Sequence, residues 1–239
     1  MTDNAQAEIR EIYNALANDY EQLVPFLEGL VLSFEAVVDM LPFGRDELFS
    51  IIDVGIGPGH LAHLVLDRYP QARLTGLDVS PRMLDLASRR LSRFADRVQL
   101  VEGDVMNETL RVDFHVVISS NALVYRNLDM TKCYRRIRQA LRAGGLFINS
   151  TWVAADALEF DRMLSVWMSR RPRRQIDPDL VERLQTNGRR VSTFGDESLT
   201  IAYSVQSHLT FLQEAGFRAW ASVWRYGYQA ILCAVTHGG

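Results

Sequence analysis

The sequence contains no run of about 18 apolar residues, the length that an α-helix needs to cross a bilayer, and no positively charged start followed by an apolar segment. It also has no internal repeat and no low-complexity tract that would divide it. Only two of its 239 residues are cysteines, Cys133 and Cys233, and they lie far apart, which argues against a disulfide framework or a zinc site. These absences predict a single cytoplasmic domain without a membrane segment or a bound metal.

The net charge of −3 gives the chain no overall attraction to nucleic acid. Arginines cluster locally at Arg135, Arg136, Arg138 and Arg142, and again within residues 170–174. The first cluster falls in the second half of a predicted helix, where positive charge complements the helix dipole, and we interpret it as a solvated face. We therefore favour a small-molecule partner over RNA, and we leave tRNA binding and a homodimer open as alternatives.

Helical and strand-like spacings of apolar residues succeed each other along the chain. Two helices are predicted before the first strand, and strands then alternate with helices through residue 152. Such alternation predicts an α/β fold whose parallel sheet is covered by helices on both faces. Ser204 begins a further helix, and residues 217–226 and 228–235 predict a closing β-hairpin with one antiparallel strand. The chain is thus divided into an N-terminal helical lid over residues 1–47, a cofactor-binding core over 48–152, a helical cap insertion over 153–203, and a closing helix and hairpin over 204–239.

A glycine-rich loop follows the first predicted strand and leads into a helix at His60. It reads Asp53-Val54-Gly55-Ile56-Gly57-Pro58-Gly59, and its glycines allow a sharp turn and a close approach to a ligand. Pro58 lacks the N–H that a pyrophosphate would need. Asp53 would repel a pyrophosphate but would attract an ammonium group and a sulfonium. The loop therefore favours S-adenosylmethionine over NAD as the cofactor.

Carboxylates also stand where the next strands end, and ligands of open α/β sheets bind beyond those carboxyl ends. The second strand ends at Asp78 and Val79, where a carboxylate suits both hydroxyls of a ribose. The third ends at Asp104, which suits an exocyclic amino group, while Val105 offers backbone contacts to a purine. Met83, in the first turn of the next helix, suits the face of an adenine. These residues predict a nucleoside site beside the glycine loop.

The chain resembles the class I S-adenosylmethionine-dependent methyltransferases. The resemblance lies in the segments "IIDVGIGPG", "LTGLDVSPRML", "VQLVEGDV", "HVVISSNALVY" and "ALRAGGLFINS". It implies a Rossmann-like, doubly wound sheet of seven strands that is mostly parallel with one antiparallel strand. It also implies that the methionyl part is held by Asp53, Gly55, Gly57 and Gly59, the ribose by Asp78, the adenine by Asp104 and Val105, and the space near the sulfonium by Ser119 and Ser120.

Two features depart from that pattern. Many members carry a histidine shortly after the fourth strand, whereas this chain has Val124-Tyr125-Arg126 there. The ending after His208 is also similar to the carboxy-S-adenosylmethionine synthases, although the arginine that those enzymes use for the extra carboxylate has no match here. A carboxy-S-adenosylmethionine synthase-like or tRNA-modifying enzyme, or a protein that binds the cofactor without turnover, therefore stand as alternatives.

Transfer of a methyl group from a sulfonium is an in-line displacement that depends mainly on alignment. If the acceptor needs a general base, the candidates are Tyr125 and His208. Aromatic and sulfur-containing side chains suit an apolar acceptor. We assign Tyr13 and Tyr20 of the opening helices to the cofactor site, and Trp152, Phe160, Met163 and Trp167 to the acceptor site. The sequence predicts methyl transfer to O, N or C of a small metabolite, with S-adenosylhomocysteine as the product.

Overall fold

The structure is a computed structural model, and it describes residues 3–108, 110, 112–124, 128–155, 157–170, 177–180, 182–183 and 203–238. The predicted catalytic Tyr125 lies outside these residues, as does much of the predicted insertion between residues 153 and 203. In the part of the chain that is described, no helix is long and apolar enough to cross a membrane.

Helices and strands alternate along the chain as the periodicity predicts. The helices are α1 (Asp3–Leu23), α2 (Glu28–Asp39), α3 (His60–Arg68), α4 (Pro81–Arg90), α5 (Met130–Ala140), α6 (Leu158–Ser169) and α7 (Val205–Glu214). The strands are β1 (Ser50–Val54), β2 (Arg73–Asp78), β3 (Val98–Glu102), β4 (Phe114–Ser120), β5 (Leu141–Trp152), β6 (Ala219–Tyr226) and β7 (Gln229–Val235).

The strands form one sheet of seven in the order β3-β2-β1-β4-β5-β7-β6. Strands β1 to β5 pair in parallel, while β7 runs antiparallel to both of its neighbours. The predicted fold, mostly parallel with one antiparallel strand, is therefore confirmed. The chain leaves β1 in one direction toward β3 and returns on the other side at β4, so the strand order reverses between β1 and β4. A crevice for a ligand is expected at that reversal, beyond the carboxyl ends of the strands.

Each face of the sheet carries its own apolar core. Successive strand residues point to opposite faces, so that Ile51 joins one core and Ile52 the other. The first core packs beneath α2 and α3 and includes Val37 and Val65. The second packs beneath α5 and α7 and includes Tyr134. Two covered faces explain why the central strands read as continuous apolar runs.

Among the predicted boundaries that differ from the structure are the end of α5 and the start of β5. Helix α5 ends at Ala140, whereas the sequence predicts that it continues to Ala143 and stops at the glycine pair. Leu141 is already extended, with φ −81° and ψ 143°, and it pairs with Phe114, so that β5 begins five residues before the predicted start at Leu146. A register shift between Phe114 and Val116 accommodates the early start. Pairing with β4 thus overrides the local helical pattern.

Candidate functional site

A cleft opens at the carboxyl edge of the sheet, and side chains of α1 form one of its walls. It contains about 860 Å³ of space free of protein atoms, including space open to solvent. Most of the lining is apolar, and the polar side chains that line it are Tyr13, Tyr20, Asp78, Asp104, Ser120 and Asn121. Val79, Met83 and Val105 line it as well. Most residues predicted to contact a nucleoside thus share one cleft, while their roles stay predictions.

Backbone hydrogen bonds fix the glycine loop to β2. The N–H groups of Gly55 and Ile56 both donate to the carbonyl oxygen of Leu77, over 2.7 and 3.0 Å. Gly55 has φ +73°, and a Cβ there would lie 2.1 Å from the Cβ of Ala122. Gly57 has φ +52°, but a Cβ there would meet no atom within 4 Å, because Gly57 borders open cleft. Gly55 is therefore required by packing, and Gly57 leaves space for a ligand.

Asp78 is held in a fixed orientation at the end of β2. One carboxylate oxygen, Oδ2, accepts from the N–H of Gly57 over 2.8 Å, and Oδ1 accepts from the N–H of Ser80 over 2.9 Å. Burial raises the pKa of Asp78, while backbone hydrogen bonds from Ser80, Gly57 and Val79 act in the opposite direction. Each oxygen of a carboxylate has a further lone pair, so the group can still accept from two ligand hydroxyls.

A smaller side cavity adjoins the cleft and shares with it Tyr20, Gly55, Gly57 and Ser120. Asp53 lines this side cavity, is only 1% exposed, and has no hydrogen-bond partner for Oδ1. Burial, followed by the charge of Asp78, raises the pKa of Asp53 to about 8. A buried carboxyl oxygen without a partner is costly, and a cationic ligand group would relieve that cost.

The loop after β3 is held by an arginine of α5. Asp104 accepts from the N–H of Met106 over 2.7 Å, and the carbonyl oxygen of Val105 accepts from Nε of Arg136 over 2.5 Å. Arg138 in turn donates to the carbonyl oxygen of Ala215. The interpretation of this arginine cluster as a solvated face is therefore wrong for these two arginines, because their guanidinium groups satisfy backbone carbonyls.

Helix α1 is attached to the loops that follow β1, β2 and β3. Arg10 forms an ion pair of 2.5 Å with Glu102, and Oδ1 of Asn14 accepts from the hydroxyl of Ser80 over 2.7 Å. Glu21 pairs with Arg90 over 2.7 Å, and Arg90 also donates to the carbonyl oxygen of Pro58 in the glycine loop. These contacts hold Tyr13 and Tyr20 over the cleft.

Two predicted cofactor residues, Ser119 and Gly59, have contacts within the protein, and their roles toward the cofactor stay predictions. The hydroxyl of Ser119 is fully buried and donates to the carbonyl oxygen of Val54 over 2.9 Å, which joins β4 to β1. A Cβ on Gly59 would lie 3.4 Å from Ala87 of α4, an ordinary contact distance, and the φ of +80° at this position is what favours glycine. Neither residue lines the cleft or the side cavity.

His208 does not lie at the cleft, which corrects its prediction as a general base. It is fully buried between α7, α5 and β5, and its Nδ1 lies 2.7 Å from the hydroxyl of Tyr134. Asn149 donates to the same hydroxyl over 3.1 Å. Burial lowers the pKa of His208 to about 4, so the ring is neutral at physiological pH. This histidine belongs to the core beneath α5 and α7, on the face of the sheet opposite to α3.

The predicted acceptor residues also lie away from the cleft. Trp152, Phe160, Met163 and Trp167 are 39–58% exposed, and none lines the cleft or the side cavity. The ring of Trp167 packs against Tyr226 at 5.3 Å, and Ser165 and Asp161 contact the hydroxyl of Tyr228. Helix α6 therefore covers the turn between β6 and β7, several strands from the reversal at β1 and β4. The assignment of these four side chains to an acceptor site stays a prediction.

The loop after β4 supplies cleft residues that the sequence reasoning missed, namely Asn121, Ala122 and Leu123. Asn121 directly follows the predicted end of β4 and has φ +51°, which is rare for a residue other than glycine. Its place at a strand end beside the sheet reversal is the signal that would have identified it.

Comparison with known proteins agrees with the fold and the motif positions. Residues 51–145 match the family model of a methyltransferase domain. The chain is 31% identical over 116 residues to a malonyl-[acyl-carrier protein] O-methyltransferase of Acetivibrio thermocellus, and 30% identical over 128 residues to a trans-aconitate 2-methyltransferase of Rhodopseudomonas palustris. The matches cover 48% and 54% of this chain but only 40% and 47% of those two relatives.

A solved structure extends the fold similarity to almost the whole chain. Human N-acetylserotonin methyltransferase, solved in complex with S-adenosylmethionine, aligns with a TM-score of 0.61 at 19% identity, over 95% of this chain and 59% of that protein. The glycine loop, Asp78 and Asp104 all fall inside the segment that matches the family model. Residues 51–145 therefore match a methyltransferase domain, and the chain has the fold of the S-adenosylmethionine-dependent methyltransferases.

Proposed function

We propose that the protein transfers the methyl group of S-adenosylmethionine to an O, N or C atom of a small molecule and releases S-adenosylhomocysteine. The observation that carries this proposal is the buried carboxyl group of Asp53, whose Oδ1 has no partner and which lines a side cavity that shares four lining residues with the cleft. A cavity with that lining suits the ammonium group at the amino-acid end of the cofactor.

The order of the carboxylates supports the same ligand. Asp104 follows β3, Asp78 ends β2 and Asp53 lies in β1, and these three strands are adjacent in the sheet. An elongated ligand with an adenine, a ribose and an amino-acid end would meet Asp104, Asp78 and Asp53 in that sequence. We propose these three contacts as the binding mode, with Tyr13 and Tyr20 of α1 lying over the ligand.

The bound cofactor supplies an electrophilic methyl group on a sulfonium: a lone pair of the acceptor bonds to the methyl carbon while the carbon–sulfur bond breaks, and the electron pair remains on sulfur as a thioether. The residues of the chain would align the two partners, and α1, which forms one wall of the cleft, would help to exclude water. An acceptor that begins as O–H or N–H also releases a proton. We propose that residues 1–47 act as the lid.

Binding of the cofactor is tested by calorimetry with S-adenosylmethionine, S-adenosylhomocysteine and NAD. We expect both sulfur nucleosides to bind and NAD to give no heat. Asp85→Asn serves as a control that should bind both sulfur nucleosides as the wild type does, because Asp85 is an exposed carboxylate of α4 outside the cleft. Tight binding of NAD together with no response to the other two would refute the proposal.

Turnover is tested with S-adenosylmethionine labelled in its methyl group and a panel of carboxylic acids, amines and phenols. The two relatives are named for malonyl-[acyl-carrier protein] and for trans-aconitate, so these are the first acids to test. Among the described residues that line the cleft and the side cavity, none is an arginine or a lysine, so we expect uncharged acceptors to be at least as good. Cofactor binding without transfer to any acceptor would favour the binding-only alternative. Transfer of the labelled methyl group to tRNA would favour the RNA alternative. Sedimentation of the purified protein tests the homodimer.

A further inference from the structure

A chain of hydrogen bonds between buried side chains runs from the cleft to helix α2. The amides of Asn121 and Gln229 face each other, with 3.4 Å from Nδ2 to Oε1 and 3.2 Å from Nε2 to Oδ1. Nε2 of Gln229 also donates to Oγ of Ser150 over 2.7 Å. Ser150 donates to Oγ of Ser33 over 2.8 Å, and Ser33 donates to the carbonyl oxygen of Leu30 over 2.7 Å. Four elements, α2, β5, β7 and the loop after β4, are joined in this way.

The carbonyl at the end of the chain fixes the direction of every bond. The oxygen of Leu30 can only accept, so the hydroxyl of Ser33 donates to it and accepts from Ser150. Ser150 in turn accepts from the amide nitrogen of Gln229. The Gln229 amide is therefore oriented with nitrogen toward Ser150 and with Oε1 toward the nitrogen of Asn121. Ser33 and Ser150 are fully buried and Gln229 is 3% exposed, so each lost bond would leave a buried polar atom unsatisfied.

Asn121 presents the open end of this chain to the cleft. Its backbone N–H donates to the carbonyl oxygen of Ser150 over 2.8 Å, which fixes the main chain at φ +51°. Gln229 uses one lone pair of Oδ1 and one N–H of Nδ2, so that a second of each serves a ligand in the cleft. An amide at this position is thus held in one orientation before any ligand binds.

Sheet order shows where along the ligand this amide lies. Strand β4, which precedes Asn121, is the neighbour of β1 on the side opposite to β2. The loop after β4 touches the glycine loop, because a Cβ on Gly55 would lie 2.1 Å from that of Ala122. A ligand that passes from Asp104 to Asp78 and then to Asp53 would carry its sulfur between the last two carboxylates, at the glycine loop after β1, and the loop after β4 touches that glycine loop.

We infer that the amide of Asn121 contacts the group carried on sulfur and the acceptor atom that receives it, with Oδ1 accepting from a donor at that position. Gln229, Ser150 and Ser33 are positioning residues that act through Asn121. This inference rests on the proposed function and adds to it the residue at the point of transfer. It also favours an acceptor whose reacting atom carries an N–H or O–H.

The test compares two nucleosides that differ at this point. Sinefungin carries an amine on the carbon that replaces sulfur, whereas S-adenosylhomocysteine has no group there. Asn121→Gly removes the amide and keeps a residue that tolerates positive φ. We expect this variant to bind sinefungin about tenfold more weakly than the wild type does. Its affinity for S-adenosylhomocysteine should stay within about twofold of the wild-type value. An equal loss for both nucleosides, or no loss for either, overturns the inference.

The positioning role is tested by Gln229→Leu and by Ser33→Ala, which breaks the chain at its far end and away from the cleft. Both should reduce the preference for sinefungin over S-adenosylhomocysteine, and Gln229→Leu should have the larger effect because it contacts Asn121 directly. Thermal unfolding of each variant checks that it folds. If both variants keep the wild-type preference, the positioning role is refuted while the proposed function stands. If the wild-type protein binds neither nucleoside, the proposed function fails as well.

Discussion

Gly57 donates its backbone N–H to Oδ2 of Asp78 over 2.8 Å, so a single hydrogen bond joins the glycine loop after β1 to the carboxylate at the end of β2. The other oxygen of Asp78 accepts from Ser80, the residue that caps α4. One side chain thus shapes the loop, orients the start of a helix and presents its free lone pairs to the cleft. Loss of this carboxylate should therefore affect ligand binding more than loss of an ordinary surface charge.

Replacement of Asp78 by Asn is expected to lower the affinity for S-adenosylhomocysteine at least about tenfold. An amide nitrogen in place of one oxygen would face a backbone N–H of Gly57 or Ser80, and a buried acceptor would be lost. Calorimetry measures the change, and Asp85→Asn, which removes an exposed carboxylate of α4, should bind as the wild type does. Equal affinities for the wild type and Asp78→Asn would show that the ribose lies elsewhere.

The two glycines at positions 55 and 57 should respond differently to alanine. At both positions the positive φ costs about 1–2 kcal/mol with a Cβ. Gly55→Ala also forces a Cβ to 2.1 Å from Ala122, which adds about 1–3 kcal/mol of overpacking, so its main effect is on the free energy of unfolding. Gly57→Ala meets no protein atom, and its main effect should be on the affinity for S-adenosylhomocysteine. Denaturant titration measures the free energy of unfolding of both variants, and calorimetry measures their affinity for S-adenosylhomocysteine. If the ratio of lost affinity to lost stability is the same for the two variants, the different roles of Gly55 and Gly57 are contradicted.

The pKa of Asp53 predicts a pH dependence of stability in the ligand-free protein. Burial raises this pKa from 3.8 in the unfolded chain to about 8 in the folded one, so the folded state binds the extra proton between these values. The contribution to stability is complete below about pH 4 and is lost as the pH rises through about 8, with a slope of about 1.4 kcal/mol per pH unit. Asp53→Asn should flatten this part of the curve, as measured by urea unfolding from pH 5 to 9.

Ligand binding offers a second readout of the same group. An ammonium beside Asp53 favours the carboxylate, so binding of S-adenosylhomocysteine at pH 7 should release a proton from the wild type and not from Asp53→Asn. Calorimetry in two buffers of different ionisation enthalpy counts that proton. Identical proton counts for the two proteins would place the ammonium away from Asp53.

Much of the fold follows from local patterns. The pattern of apolar residues predicts the fourth strand over residues 114–120, and β4 has these bounds. Asp129 and Ser204, which the sequence predicts as helix caps, each accept from a backbone N–H three residues later. These features depend on residues that are neighbours in the sequence. The early start of β5 at Leu141 depends on pairing with Phe114, which lies 27 positions earlier in the sequence (141 − 114). No local pattern encodes that partner.

The candidate site shows the same division between local and long-range information. Asp78 and the glycine loop were found because a motif carries them within one stretch of sequence. The placement of Trp167 and His208 depends on how far each element lies from β1 along the sheet, and this distance follows from strand order. The pair of Asn121 and Gln229 joins residues 108 positions apart, so only the structure reveals it.

The ion pair between Glu21 and Arg90 should slow the opening of α1. Their side chains are 34% and 24% exposed, and a pair of that kind contributes about 0.2–1 kcal/mol. Glu21→Gln should therefore raise the dissociation rate of S-adenosylhomocysteine by roughly two- to fivefold. Stopped-flow displacement measures the rate. Asp39→Asn breaks a distant surface pair with Arg68 and serves as the control, which should leave the rate unchanged.

His208 separates a structural role from a catalytic one. Its pKa of about 4 lies below the value of 6.5 in the unfolded chain, because burial favours the neutral ring. The stability from this group is therefore present above about pH 6.5 and is lost as the pH falls toward 4.

His208→Ala should lower the free energy of unfolding at pH 7 by about 1–3 kcal/mol, since Tyr134 loses a buried partner. It should also weaken the fall of the unfolding free energy between pH 6.5 and pH 4. Tyr134→Phe, which removes the hydroxyl and keeps the ring, should destabilise the fold in the same way. Neither variant should change the affinity for S-adenosylhomocysteine or the rate of methyl transfer below its melting temperature. A loss of transfer in a variant as stable as the wild type would return His208 to the list of candidate bases, because no packing defect could then explain the loss.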